Sequence, residues 1–139
     1  MKLLKGKPIA DKILENLKKR IKTEKIKPAL AVLLIGKNKE SELYVNLKRK
    51  TAKKIGMDFS VFYRNSSTNE NEILNLINRF NKNEKFAGVI VQLPLPKKFN
   101  TQKIISALNP EKDVDGFGPK TKFLPVFPKA ILEILKSIK

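Results

Sequence analysis

An α/β fold, three layers deep with a short parallel sheet flanked by helices, is predicted for this chain by three features of its sequence. Strand-like and helical segments alternate along it. The most apolar segment, ALAVLLIG at 29–36, is continuous rather than alternating, the habit of a strand buried on both faces of a parallel sheet. Two more strand-like runs, 58–65 and 86–96, are each preceded by a helical period, so the connections are long enough to be right-handed crossovers. With 139 residues the chain is about one domain long, read as a single unit over 1–139. A chain of this size hides roughly two-thirds of its unfolded surface, and a hydrophobic content of 41% provides the core.

Residues 8–22, PIADKILENLKKRIK, place Ile9, Ile13, Leu17 and Ile21 four apart, which predicts an amphipathic helix. The apolar run 29–36 ends at Gly36. Ser41 suits the N-cap of the next helix, and Gly56 suits its end. DFSVFYRN, 58–65, reads as the second strand. NENEILNLINRFNK, 69–82, reads as a helix with Ile73, Leu74, Ile77 and Phe80 on its inner face. FAGVIVQLPLP, 86–96, is the third strand, apolar through Val91 and stopped by Pro94 and Pro96. TQKIISAL, 101–108, is a short helix, NPEKDVDGFGP a loop, and PKAILEILKSIK, 128–139, a closing helix. No internal repeat, low-complexity linker or Gly/Ser hinge interrupts this order.

Composition narrows the chemistry. The absence of cysteine excludes disulfides, zinc thiolates and a cysteine nucleophile. The absence of histidine removes the commonest proton carrier at neutral pH and the commonest metal ligand. Acid–base work then falls to Lys, Asp, Glu or Tyr. The opening MKLLKGKPIADKIL is too charged for a signal peptide, and no apolar run approaches the roughly 18 residues of a membrane span. A cytoplasmic protein with no membrane attachment is expected.

A net charge of +17 and a pI near 10.1 raise the question of nucleic acid. The basic residues are overwhelmingly Lys, with Arg only at 20, 49, 64 and 79, and they are spread along the chain without interleaved aromatics. Lys, Ile and Asn are abundant together, as an AT-rich coding bias produces. That bias is the first explanation of the charge, attraction of an anionic small ligand the second, and nucleic-acid binding the last.

Ligands of open parallel sheets bind beyond the carboxyl ends of the strands, and this rule draws distant residues together. Tyr44 and Lys48 lie in the first turns of the helix leaving the first strand, Gln92 ends the third strand, and Asp113 and Asp115 lie in the later loop. Each has a plainer reading. Tyr44 shares a helical stripe with Leu47, Thr51 and Ile55 and would serve in a core. Lys48 would be a solvated lysine with a packed stem; held partly out of water, it becomes a base near neutral pH. Gln92 would satisfy loop backbone groups. The pair in DVDG would form an Asx turn; a metal lacks the further carboxylates or histidines to complete its ligands, so no metal is expected. A carboxylate there can also accept from paired N–H donors on a ligand. GKNKES does not have P-loop spacing and no G-x-G-x-x-G occurs, so no nucleotide cofactor is expected within this chain.

Taken together, GKNKESELYVNLKRKTAKKIGM, GVIVQLPLP and NPEKDVDGF resemble the methylenetetrahydrofolate dehydrogenase/cyclohydrolase family, in its order and at about its separations. The pattern S-x-x-Y-V-x-x-K-x-K is matched by Ser41, Tyr44, Val45, Lys48 and Lys50, V-Q-L-P-L-P by 91–96, and K-D-V-D-G-F by 112–117. The resemblance covers nearly the whole chain, but only the amino-terminal, folate-binding half of the family's proteins.

The resemblance implies a catalytic lysine at Lys48, beside the one-carbon bridge of a folate. It implies that Gln92 hydrogen-bonds this lysine and tunes its protonation. Tyr44 falls on a tyrosine that stacks on the aminobenzoate ring, and Asp115 on an aspartate that holds the pterin through its N–H groups. The implied reaction is cyclohydrolase chemistry, opening 5,10-methenyltetrahydrofolate to 10-formyltetrahydrofolate. Family members continue into an NADP-binding domain that serves the dehydrogenase step, whereas this chain stops at Lys139; NADP is therefore expected only if a separate nucleotide-binding chain supplies its site. Family dimers rely largely on that domain, so the resemblance leaves the oligomeric state open. The chain departs from the family at Gly118, where a His is usual, in the shortened loop PKTKF, at P-V-F-P over 125–128 and at Ala130.

Overall fold

The computed structural model describes residues 4–138. Residues 1–3, and Lys139 at the end of the expected closing helix, lie outside the described residues. Three strands, β1 (Ala29–Ile35), β2 (Asp58–Arg64) and β3 (Gly88–Val91), form one parallel sheet in the order β2-β1-β3. β1 takes the centre because it alone is apolar along its whole seven-residue length, and all of it except Leu30 is buried.

Alternation along β1 divides the core in two. Ala29, Ala31, Leu33 and Ile35 pack with Ile73, Leu76, Ile77 and Phe80 of α3 (Glu70–Lys82) and with Ile104 of α4 (Thr101–Ser106). Val32 and Leu34 pack on the opposite face with Val45 of α2 (Lys39–Ile55). The result is the three-layer arrangement expected. The connection from β1 to β2 runs one way along the sheet and that from β2 to β3 runs back, so crossovers of one hand must place α2 and α3 on opposite faces.

Several local expectations are corrected. Asn38, not Ser41, caps α2: its side chain accepts from the Ser41 N–H at 2.8 Å. Ser41 is instead buried in the first turn, its hydroxyl donating to the Leu93 carbonyl at 3.3 Å. Gly56 ends α2 in the left-handed region, with φ of 84°. Leu76 is buried on the inner face of α3 as well, and Leu74 packs against the same cluster while only partly buried. The third strand is shorter than 86–96, because Gln92 makes the last ladder bond, donating its N–H to Leu33, and the prolines beyond have none to give. The free edge of β3 is covered by the later loop, where Val89 donates to the Lys112 carbonyl at 2.7 Å and pairs in parallel with Asp113.

α1 (Gly6–Thr23) lies outside α2, and α5 (Val126–Lys136) lies against α1; neither contains a buried residue. The stripe expected to face inward along α1 is only partly covered. Ile9 and Ile21 are half-buried while Ile13 and Leu17 are exposed, because the helix meets another helix rather than the sheet.

Candidate active site

β1 connects towards β2 on one side, and β3 lies on its other side, so the chain reverses direction along the sheet between β1 and β3. A crevice opens at the carboxyl ends of strands at such a switch. α2 leaves this edge from the end of β1, and its residues at seven-residue separation, Ser41 and Lys48, lean towards the end of β3. Lys48 is the polar member at the border of the buried face formed by Ser41, Val45, Ala52 and Ile55.

Three segments meet there. The Lys48 Nζ donates to Gln92 Oε1 at 3.2 Å and lies 3.5 Å from Asp115 Oδ2. Gln92 is buried, and its own Nε2 donates to the Leu93 carbonyl at 2.9 Å. That bond turns the amide nitrogen to the carbonyl and leaves Oε1 as the group presented to the amine. The Lys48 side chain keeps 36% exposure and that of Asp115 keeps 15%. An ion pair this open contributes at most about 1 kcal/mol. The pair therefore matters more for its chemistry than for stability.

The two aspartates of DVDG part company. Asp113 is 2% exposed and faces inward, Oδ1 accepting from Gly116 N–H at 3.2 Å and Oδ2 from Gly118 N–H at 2.7 Å. The turn reading holds for Asp113, whose two oxygens are taken by backbone N–H groups rather than by the Lys48 amine. Gly116 supports the turn with φ of 73°. A Cβ on Gly118 would lie 2.9 Å from Asp113 Oδ2, so the loop is closed tightly on the carboxylate. Asp115 instead faces the amine. Burial pushes its carboxyl above the usual carboxylate range, Lys48 draws it back down, and the nearby Asp113 adds a smaller upward push.

Tyr44 stands one turn before Lys48 with 58% of its surface exposed, so it is not the core residue its stripe allowed. A cleft of about 650 Å³ lies between the ends of β1 and β2 and the Pro94–Pro96 segment, and its lining does not include Lys48, Gln92 or Asp115. Lys48, Gln92 and Asp115 are the three that the structure brings into contact.

Two further residues support this geometry, of which Ser41 was read from the sequence only as a cap and a motif residue. Ser41 was available as part of the S-x-x-Y motif, yet its role depends on a carbonyl 52 positions away. Asp113 had its signal in the Asx-turn pattern. NADP does not fit the described residues: the turn after β1 holds one glycine, that after β2 none, and that after β3 has prolines where a pyrophosphate needs N–H groups. No hydride step is assigned to them.

Residues 4–115 match the family described as tetrahydrofolate dehydrogenase/cyclohydrolase, catalytic domain. The chain belongs to that family. It is similar to the bifunctional protein FolD of Thermodesulfovibrio yellowstonii, with 40% identity over 99% of this chain and 52% of the relative. Among solved structures it resembles the bifunctional FolD methylenetetrahydrofolate dehydrogenase/cyclohydrolase of Campylobacter jejuni, with a TM-score of 0.94 and 36% identity over 99% of this chain and 54% of that one. It also resembles the Trypanosoma brucei enzyme solved in complex with NADP cofactor and an inhibitor, with a TM-score of 0.82 and 26% identity over 96% and 49%. The chain spans about half the length of the curated relatives it matches. The family match ends at Asp115. Among the described residues no helix is long and apolar enough to cross a membrane.

Proposed function

We propose that residues 1–139 form the folate-binding catalytic domain of a cytoplasmic enzyme of one-carbon metabolism. In this reading the chain hydrolyses 5,10-methenyltetrahydrofolate to 10-formyltetrahydrofolate. The observation that carries it is the convergence of Lys48, Gln92 and Asp115 from three separate segments within 3.5 Å of one amine.

Tyr44, exposed on the rim, stacks against the aminobenzoate ring. Asp115 accepts from the N–H donors of the pterin, which sets the one-carbon bridge beside Lys48. The amine of Lys48 takes a proton from water as the oxygen bonds to the bridge carbon. The ammonium so formed gives its proton to the leaving ring nitrogen as that C–N bond breaks, while the new hydroxyl loses its own proton to solvent and becomes the formyl carbonyl. One water is consumed and one proton released. Gln92 Oε1, held by Leu93, keeps the amine aimed through the cycle.

Dehydrogenation needs an NADP site that these residues do not supply, so in this reading a nucleotide-binding domain or a separate chain must bring it. The test follows the absorbance of 5,10-methenyltetrahydrofolate without nucleotide. Wild type is expected to accelerate its decay, and Lys48→Met to bind the folate without turnover. Hydrolysis at an unchanged rate by Lys48→Met would end the assignment, and binding without turnover by wild type would favour a non-catalytic folate-binding role.

A further inference from the structure

We propose that β2 is the contact edge of a homodimer, in which two copies of this chain pair their β2 strands antiparallel about Val61 to form one six-stranded sheet. This inference does not depend on the folate reading.

β2 is an outer strand of the sheet, and none of its seven residues is buried. The bonds at its two ends fix which of its backbone groups face inward. Asp58 donates its N–H to the Pro28 carbonyl at 2.9 Å, and the Arg64 carbonyl accepts from the Gly36 N–H at 2.8 Å. With the parallel register between them, Asp58, Ser60, Phe62 and Arg64 turn their backbone groups to β1. The N–H and C=O groups of Phe59, Val61 and Tyr63 therefore point away from the sheet. Among the described residues only the Tyr63 carbonyl has a partner there, the Arg64 guanidinium at 2.7 Å. β2 also contains neither Pro nor Lys, two common protections of a free edge.

Such a row of donors and acceptors would fit many strands; the side chains select a second copy. One antiparallel register engages all three outward residues of both copies, and it sets Val61 opposite Val61. In that register Phe59 lies opposite Tyr63 of the second copy, an aromatic pair that would cover a residue now 55% exposed. Asp58 lies opposite Arg64 of the second copy, and the two-fold axis repeats this ion pair at the other end. The Tyr63 carbonyl keeps a lone pair for the incoming Phe59 N–H. The guanidinium beside it already stands at the edge where the second Asp58 arrives. Two bodies of charge +17 repel each other, so the association belongs to salt concentrations that screen the remaining lysines.

The test is sedimentation equilibrium of the full chain over a dilution series at about 150 mM salt. Wild type is expected to dimerise as its concentration rises. Val61→Pro removes an outward N–H and none that bonds β1, so it is expected to be monomeric with an unchanged circular dichroism spectrum. Arg64→Asp sets like charges opposite each other and is expected to weaken the dimer about tenfold. The double exchange Asp58→Arg with Arg64→Asp restores the opposite charges and is expected to recover the wild-type constant. A wild type that stays monomeric at every concentration overturns the proposal and leaves the edge to a different partner or to none. A dimer that both Val61→Pro and Arg64→Asp leave intact overturns it as well, since such a dimer uses another face. A double exchange no tighter than Arg64→Asp alone also overturns it, because the antiparallel register is what makes the exchange neutral.

Discussion

Asp113 and Asp115 are two residues apart and behave in opposite ways. Asp113 is buried with backbone N–H groups on both oxygens, whereas Asp115 is largely buried with one lysine nearby. The raised carboxyl of Asp115 means the folded state binds that proton more tightly than the unfolded chain does. Its contribution to stability is full below the ordinary value of 3.8 and is lost as pH rises through the folded value. Asp115→Asn is therefore expected to melt higher than wild type at pH 7, with the advantage shrinking to nothing below pH 3.8. Thermal melts across that range check it, and an advantage that grows on acidification would refute the burial argument. A carboxylate kept at some cost in stability belongs to a site rather than to a scaffold.

At the level of elements, the start of β3 is tied to the loop that carries Asp115. A Cβ on Gly88 would come within 2.6 Å of Val114 and 2.7 Å of Leu30, so glycine is what allows the loop to close on this edge of the sheet. Gly88→Ala must displace Val114, which stands between the two aspartates. The substitution is expected to cost about 1–3 kcal/mol in urea unfolding and to weaken folate binding, although Gly88 lies at the far end of β3 from Gln92. Lost stability with unchanged affinity would mean the loop holds Asp115 independently of the sheet. Most elements could be read from the periods of their residues, and several bounds shift by one or two positions. The cap of α2 could not, because Asn38 and Ser41 are both good caps and only the packing of Ser41 under Leu93 chooses between them.

For the whole molecule, a net charge of +17 spread over 139 residues repels itself in the compact state. Raising the salt from about 10 mM to about 150 mM shortens the screening length from about 30 to about 8 Å, and the melting temperature is expected to rise with it. A flat or falling series would mean that attractive pairs such as Lys103–Glu70, at 2.7 Å, outweigh the excess of lysine. The charge does not mark the candidate site, where one lysine faces one aspartate.

The order of strands and helices, the central place of the apolar run 29–36 and the three motifs that point to Tyr44, Lys48, Gln92 and Asp115 were all contained in the sequence. They depend on short periods and on residue types, which act over a few neighbouring positions. The tertiary structure alone decided that Asp113 turns inward while Asp115 faces the amine, that Tyr44 is exposed rather than core, and that Gln92 presents its oxygen to Lys48. Those outcomes depend on which backbone donors and acceptors distant segments bring within hydrogen-bond reach, and no local pattern encodes them.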